Sequence, residues 1–163
     1  MRRRYSSYWG WVMAIGLLTS CGDDPFSSGN QRELSQAQAR WEKAGVTDYH
    51  VDFRVICFCA NALPGFTRLE VRAGQVVAAQ QLEPLSEPMD IPLGLWPTVP
   101  AMFQTIVSAG ESQTYRTIDV DYDSELGYPR RVELECKSYR GMSIADCGAT
   151  YELKNLEVIG SAS

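Results

Sequence analysis

Apolar residues at every second position, from Tyr49 onward, are the feature that most limits how this chain can fold. They recur at Tyr49, Val51, Phe53, Val55 and Cys57, with His50, Asp52 and Arg54 between them. A repeat of two is the period of a β-strand that buries one face. The intervening positions become apolar at Ile56 and Phe58. This change predicts that the strand enters a buried position at its end.

Shorter alternations of the same kind predict five more strands. They cover residues 66–72, 75–82, 115–122, 131–138 and 149–159. Gly74, between the first two of these, offers the positive φ that a tight hairpin needs. Residues 83–96 hold three prolines and show no clear period, so we expect a loop there.

Two segments have helical spacing instead. Residues 31–44 contain no glycine or proline, place Trp41 on an apolar face and are followed by Gly45 as a helix end. Residues 98–109 begin with a capping threonine and are followed by Gly110. The predicted order is α-βββ-α-βββ, and two helices packed on an antiparallel sheet define the α+β class.

The two predicted halves share short sequence similarities. Tyr49-x-Val51-x-Phe53 parallels Ile118-x-Val120-x-Tyr122, and Gly65-Phe66 parallels Gly127-Tyr128. Shared strand patterning explains two short matches about as well as a duplication does. Internal duplication is therefore a hypothesis.

The beginning of the chain has the pattern of a secretion signal. Three arginines precede an apolar run of about 12 residues, which would form a helix of roughly 18 Å, well short of the ~30 Å hydrocarbon core of a bilayer. The run ends in Leu18-Thr19-Ser20-Cys21, which resembles the cleavage and acylation signal of a bacterial lipoprotein. The resemblance implies cleavage before Cys21 and lipid attachment to this cysteine.

This interpretation divides the chain into three parts. Residues 1–20 are a signal peptide, residues 21–30 a flexible tether and residues 31–159 a single domain. Loss of the three arginines takes the net charge from −5 to −8. An acidic domain argues against nucleic-acid binding and against charge-driven adhesion to anionic lipid, so the acyl chains must hold it to the membrane. Gly22 after the cysteine favours the outer membrane of the cell envelope, on its periplasmic face, in a host with two membranes.

Four cysteines remain after Cys21, and in an exported protein an even number most often forms disulfides. Cys136 and Cys147 bracket the connection between two predicted strands, so we expect them to be bonded. Cys57 and Cys59 are either bonded to each other, which requires the strand to curl, or paired elsewhere. A four-cysteine zinc site fits these spacings badly, and we predict no metal and no cofactor.

The acidic run at residues 119–125 resembles the beginning of a calcium-binding loop. Such a loop needs glycine at its sixth position and glutamate at its twelfth, where this chain has Ser124 and Arg130. The alternation of these acids with Val120 and Tyr122 instead indicates the solvent face of a strand.

His50 is the only histidine, and no nucleophile motif accompanies it. We therefore predict a non-enzymatic module that binds an envelope protein or another envelope component. Its candidate binding residues are Leu93, Leu95, Trp96, Tyr122 and Tyr128. Core packing is the competing interpretation of each of them. The alternative function is a thiol-active or hydrolytic envelope enzyme that uses Cys57 and Cys59 or His50.

Several short segments together resemble a known family. They are Tyr49-x-x-x-Phe53, Cys57-Phe58-Cys59, Val71 to Val76, Thr98 to Ile106, and Asp119 to Asp123 leading to Gly127-Tyr128-Pro129. The family is a bacterial lipoprotein family catalogued as domain of unknown function 6174, and the resemblance covers residues 31–158. It implies a small exported domain and assigns no catalytic residue. Cys136 and Cys147 lie outside the pattern that carries it.

Overall fold

The fold is that of a computed structural model, which describes residues 27–58, 65–82, 91–138 and 147–160. Its helices are α1 (Ser28–Ala44) and α2 (Val99–Glu111), with a short 3-10 turn at Leu93–Leu95 before the second. Its strands are β1 (Tyr49–Cys57), β2 (Thr67–Arg72), β3 (Gln75–Gln81), β4 (Tyr115–Tyr122), β5 (Pro129–Cys136) and β6 (Ala149–Val158). The strands form one antiparallel sheet in the order β3-β2-β1-β6-β5-β4. The α+β class is therefore confirmed.

The ends of the helices follow from their capping residues. Helix α1 begins three residues before the predicted start, because the Ser27 hydroxyl accepts a hydrogen bond from the Asn30 backbone N–H at 3.3 Å. It ends at Gly45, which has a φ of 61° and donates its N–H to the Trp41 carbonyl. Helix α2 is capped by Thr98 as predicted, but it continues through Gly110 to Glu111.

β1 lies at the centre of the sheet, between β2 and β6. Its first five residues pair with β2, and it pairs with β6 from Tyr49 to Cys57 except at Val51. A bulge in β6, opposite Val51, holds Asn155 at a φ of 52°. The duplication stays a prediction, since β1 is central whereas its suggested counterpart β4 is an edge strand.

The hydrophobic core lies between one face of the sheet and the two helices. Trp41 of α1 meets Tyr49 of β1 edge-to-face, with ring centroids 5.6 Å apart. The Tyr49 hydroxyl accepts a hydrogen bond from the Val99 backbone N–H at 2.9 Å, which joins the start of α2 to the sheet. Burial raises the pKa of Tyr49 to about 12. The sheet and helix residues that complete the core include Val51, Leu69, Val71, Met102, Ile106, Ile118 and Val132.

The turn between β4 and β5 packs directly on α1. Gly127 lies there with a φ of 81°, and a β-carbon built on it would fall 2.3 Å from the Ala37 carbonyl oxygen. Within this turn the Asp123 carboxylate accepts hydrogen bonds from the backbone N–H groups of Glu125 and Leu126. Only a glycine allows the turn to approach the helix so closely.

A disulfide joins Cys136 to Cys147, as predicted, with their Cα atoms 6.0 Å apart. It connects the end of β5 to the residues just before β6. Among the described residues, neither helix has the length and hydropathy that a membrane span requires. The predicted signal peptide and Cys21 lie outside the described residues.

Candidate functional site

The face of the sheet opposite the helices, here called the open face, carries charged side chains from five strands. Cross-strand pairs on it include Asp52 opposite Arg68 and Arg54 opposite Glu152. Arg54 forms an ion pair with Glu152, and Arg131 reaches both Glu152 at 3.5 Å and Glu133 at 3.0 Å. Positive and negative side chains alternate across the sheet, so the charges of the open face compensate one another. Each partly exposed ion pair contributes only about 0 to 1 kcal/mol to the free energy of unfolding.

Asp52 is the exception, because its side chain is only 2% exposed. Its carboxylate accepts hydrogen bonds from Arg68 Nε at 2.7 Å and from Asn155 Nδ2 at 2.8 Å. Burial raises the pKa of Asp52, but the hydrogen bonds from Arg68 and Asn155 and the nearby positive charges hold it below its usual value. The buried carboxylate therefore fixes the open face where β2, β1 and β6 meet.

Phe66 forms an apolar platform beneath two cations of the open face. The Arg54 guanidinium lies 4.4 Å from the ring centroid and the Lys154 ammonium lies 3.5 Å from it. Both are cation–π contacts, and the ring is 8% exposed. Phe66 is therefore covered and offers little surface to a partner.

An exposed apolar surface lies at the end of β1. Ile56 is 52% exposed and Phe58 is 80% exposed, and we call these two residues the apolar corner. They line an open cleft of about 370 Å³ together with Ala149 and the carboxylate-bearing Glu133 and Glu135. The sequence-based prediction of a buried strand end was wrong at these positions. Ile56 shares the open face with Asp52 and Arg54, on the side of the sheet opposite the helices, and β2 does not pair with β1 beyond Phe53.

The predicted binding residues divide into two groups. Leu93 and Leu95 of the 3-10 turn are 40% and 69% exposed, which suits a binding role. Trp96 is half-buried, and its ring meets Phe53 edge-to-face with centroids 6.1 Å apart. Trp96 therefore contributes mainly to packing.

The two predicted tyrosines also pack inward. Tyr122 stacks on Phe103 of α2, with ring centroids 6.5 Å apart, and burial raises its pKa. Tyr128 is only 7% exposed, and burial likewise raises its pKa. Both tyrosines therefore pack in the protein interior, which is the interpretation that competed with a binding role.

The candidates for catalysis and for cation binding lie at the surface of the sheet, where His50 and Asp121 face charged side chains. The His50 Nε2 lies 3.8 Å from a Glu70 carboxylate oxygen on the open face. Asp119 is exposed, and Asp121 forms an ion pair with Arg130 at 2.7 Å. Within the described part of the chain, no three His, Cys, Asp or Glu side chains are grouped so as to hold a metal ion.

Cys57, at the end of β1, is disulfide-bonded. Cys59 lies outside the described residues. A disulfide-bonded cysteine carries no thiolate, so Cys57 in this state is not a nucleophile. The apolar corner, which flanks Cys57 on both sides, is the functional candidate that the sequence-based analysis missed, although Phe58 belongs to the Cys-Phe-Cys segment singled out there.

The fold and surface define a small α+β domain with one helix-covered sheet face and one charged open face. The sequence profile of a family of unknown function, DUF6174, matches residues 33–158. The chain belongs to this family. No curated protein and no solved structure matches it.

Proposed function

We propose that this protein is a lipid-anchored protein of the bacterial cell envelope that acts by binding a partner polypeptide at the apolar corner. The exposure of Phe58 is the observation that carries the proposal. A phenylalanine with four-fifths of its surface in water, beside an open cleft, is typical of an interface anchor.

The exposed side chains and the net charge indicate the chemistry of this partner. Glu133 and Glu135 lie along the cleft but already form ion pairs with Arg131 and Arg116, and the whole chain has a net charge of −5. The exposed Phe58 and the net acidic charge of the chain favour a segment with apolar and basic side chains. Leu93 and Leu95 offer a second exposed apolar surface, but they line no cleft with Phe58.

The proposed role needs no catalysis. A nucleophile requires an adjacent base, and a base must be held by a further group within hydrogen-bond reach of its substrate. His50 faces Glu70 at 3.8 Å, and the pair is embedded in the ion pairs of the open face. These contacts support a structural role for the histidine. The charged, acidic surface equally supports a protein partner over nucleic acid.

Phe58→Ser is expected to weaken partner binding by about tenfold or more. Burying a phenylalanine side chain contributes about 1.5 to 3 kcal/mol, and each 1.4 kcal/mol changes affinity about tenfold. The free energy of unfolding should change by less than about 0.5 kcal/mol, because the side chain is 80% exposed. Quantitative mass spectrometry of proteins captured from native envelope by the full-length wild type and variant measures the effect.

Val158→Ser is the control for the loss of an exposed apolar side chain, because Val158 is 52% exposed and lies opposite Tyr49, at the other end of β1 from Phe58. It should leave the captured partner unchanged. A His50→Ala variant tests the enzymatic alternative in the same host. If a folded His50→Ala protein loses its cellular function while Phe58→Ser keeps both partner and function, the proposal is wrong.

Cys21→Ser is expected to abolish signal cleavage and lipid attachment, since the serine hydroxyl cannot replace the thiol as acceptor. The variant should migrate as the unprocessed precursor on gels. Metabolic labelling with a fatty acid should mark the wild type and leave the variant unlabelled. Labelled, correctly cleaved Cys21→Ser protein would contradict the proposed anchor, and it would leave the binding proposal standing.

A further inference from the structure

β3 is an edge strand whose own sequence lacks the residues that usually protect an edge against pairing with another strand. It lies at one end of the sheet order and pairs only with β2. Its sequence, QVVAAQQ, contains no charge, no proline and no glycine. Edge strands of natural proteins are usually protected by charges, prolines or covering segments, because an open edge is a template for further pairing.

The opposite edge of the same sheet shows the difference. β4 carries Arg116, Asp119 and Asp121, all exposed. Such charges oppose the approach of a second strand. Of the two edges, only β3 is therefore suited to pairing.

The hydrogen-bonding groups of β3 that point away from β2 can be assigned from the register. Leu82 donates its N–H to the Phe66 carbonyl, and the pairing continues with Gln81 opposite Thr67 and Gln80 opposite Arg68. Because successive residues direct their backbone groups to alternate sides, Ala79 and Gln81 present theirs to the outside. Among the described residues, no backbone hydrogen bond reaches this outer side, although the 3-10 turn lies near β3.

We infer that β3 pairs antiparallel with β3 of a second copy of this chain, about a two-fold axis at Gln80. Ala79 of each copy then exchanges backbone hydrogen bonds with Gln81 of the other. The pairing stays within the regular part of the strand, after the bulge near Val77.

The side chains that meet in this pairing favour a second copy of the chain as the partner of β3. Gln80 faces its own counterpart, and two primary amides are mutually complementary as donor and acceptor. Ala78 faces Leu82, which is 45% exposed in the single chain and becomes covered. No like charges are brought together, since the strand has none. The contact is small, so the association is expected to be weak and dependent on concentration.

Disulfide trapping in native envelope tests the inference. Gln80→Cys places two thiols directly opposite each other in a pair without hydrogen bonds, where Cα atoms lie about 4.5 Å apart and a disulfide forms readily. Mild oxidation should convert most of the full-length protein to a dimer. Asp119→Cys, an exposed position on β4, is the control and should stay monomeric.

Ala79→Pro in the Gln80→Cys background removes an outward N–H while sparing the pairing with β2, so it should reduce the dimer several-fold. A folded Gln80→Cys protein that remains monomeric overturns the inference. Equal cross-linking of Gln80→Cys and Asp119→Cys overturns it as well, because it indicates random collision. A disulfide to a different protein also overturns it, and would assign this edge to a strand of another partner.

Discussion

Gly127→Ala is expected to lower the free energy of unfolding by about 3 kcal/mol. Two costs add up at this position. A non-glycine residue in the left-handed region costs roughly 1 to 2 kcal/mol, and the φ of Gly127 is +81°. The new methyl group would also lie 2.3 Å from the Ala37 carbonyl oxygen, and forcing extra volume into a packed region costs about 1 to 3 kcal/mol.

The overlap is severe because neither partner can yield cheaply. The Ala37 carbonyl belongs to the backbone of α1, and the same β-carbon would lie 3.0 Å from the Arg40 β-carbon. Relief therefore requires the turn between β4 and β5 to move away from the helix. Equilibrium unfolding in urea, followed by tryptophan fluorescence, measures the loss.

Gly74→Ala separates the two costs. Gly74 has a similar φ of +74°, but a β-carbon there would meet nothing within 4 Å. It should cost only the conformational part, roughly 1 to 2 kcal/mol. If both variants lose the same stability, the close packing of Gly127 against α1 is not what stabilises the fold.

The helices and strands were predictable from the sequence because their signals are local. The apolar repeat that begins at Tyr49 and the capping residues Thr98 and Gly45 depend only on near neighbours in the chain. The start of α1 was missed because Ser27 lies in a polar stretch typical of a tether, and its capping role appears only from its bond with Asn30.

The apolar corner was not predictable, because its exposure depends on where a distant strand begins to pair. The alternation around Ile56 gives the period of β1 but not the extent of β2. Pairing with β2 starts at Thr67, opposite Phe53, so the rest of β1 extends past it. The apolar side chain of Phe58 predicted a buried position, whereas this residue is 80% exposed.

Asp52→Ala is expected to lower the free energy of unfolding by about 2 to 3 kcal/mol. Removing one partner of a buried ion pair costs about 3 to 5 kcal/mol, and we place the effect below that range because the Arg68 side chain is 35% exposed and can turn toward water. Asn155 is exposed as well, so water can replace the 2.8 Å hydrogen bond that its amide loses.

Asp121→Ala is the control, because Asp121 and Arg130 form an ion pair of similar length in which both side chains are about half exposed. It should cost less than about 0.5 kcal/mol. Equal losses from the two substitutions would show that burial of Asp52 contributes nothing to its role.

The same carboxylate gives the protein a specific sensitivity to acid. The pKa of Asp52 in the folded protein lies below its ordinary value of 3.8, because the bonds from Arg68 and Asn155 outweigh the opposing effect of burial. A lowered pKa stabilises the folded state fully at pH values above the ordinary pKa, and this stabilisation is lost as the pH falls through the pKa of the folded protein.

The difference in stability between wild type and Asp52→Ala should therefore be constant from neutral pH down to about pH 5 and shrink below about pH 4. Glu70 and Glu135 also have lowered pKa values, but they are present in both proteins and cancel from this difference. A difference that stays constant down to about pH 2 would mean that the Asp52 contribution does not depend on its charge.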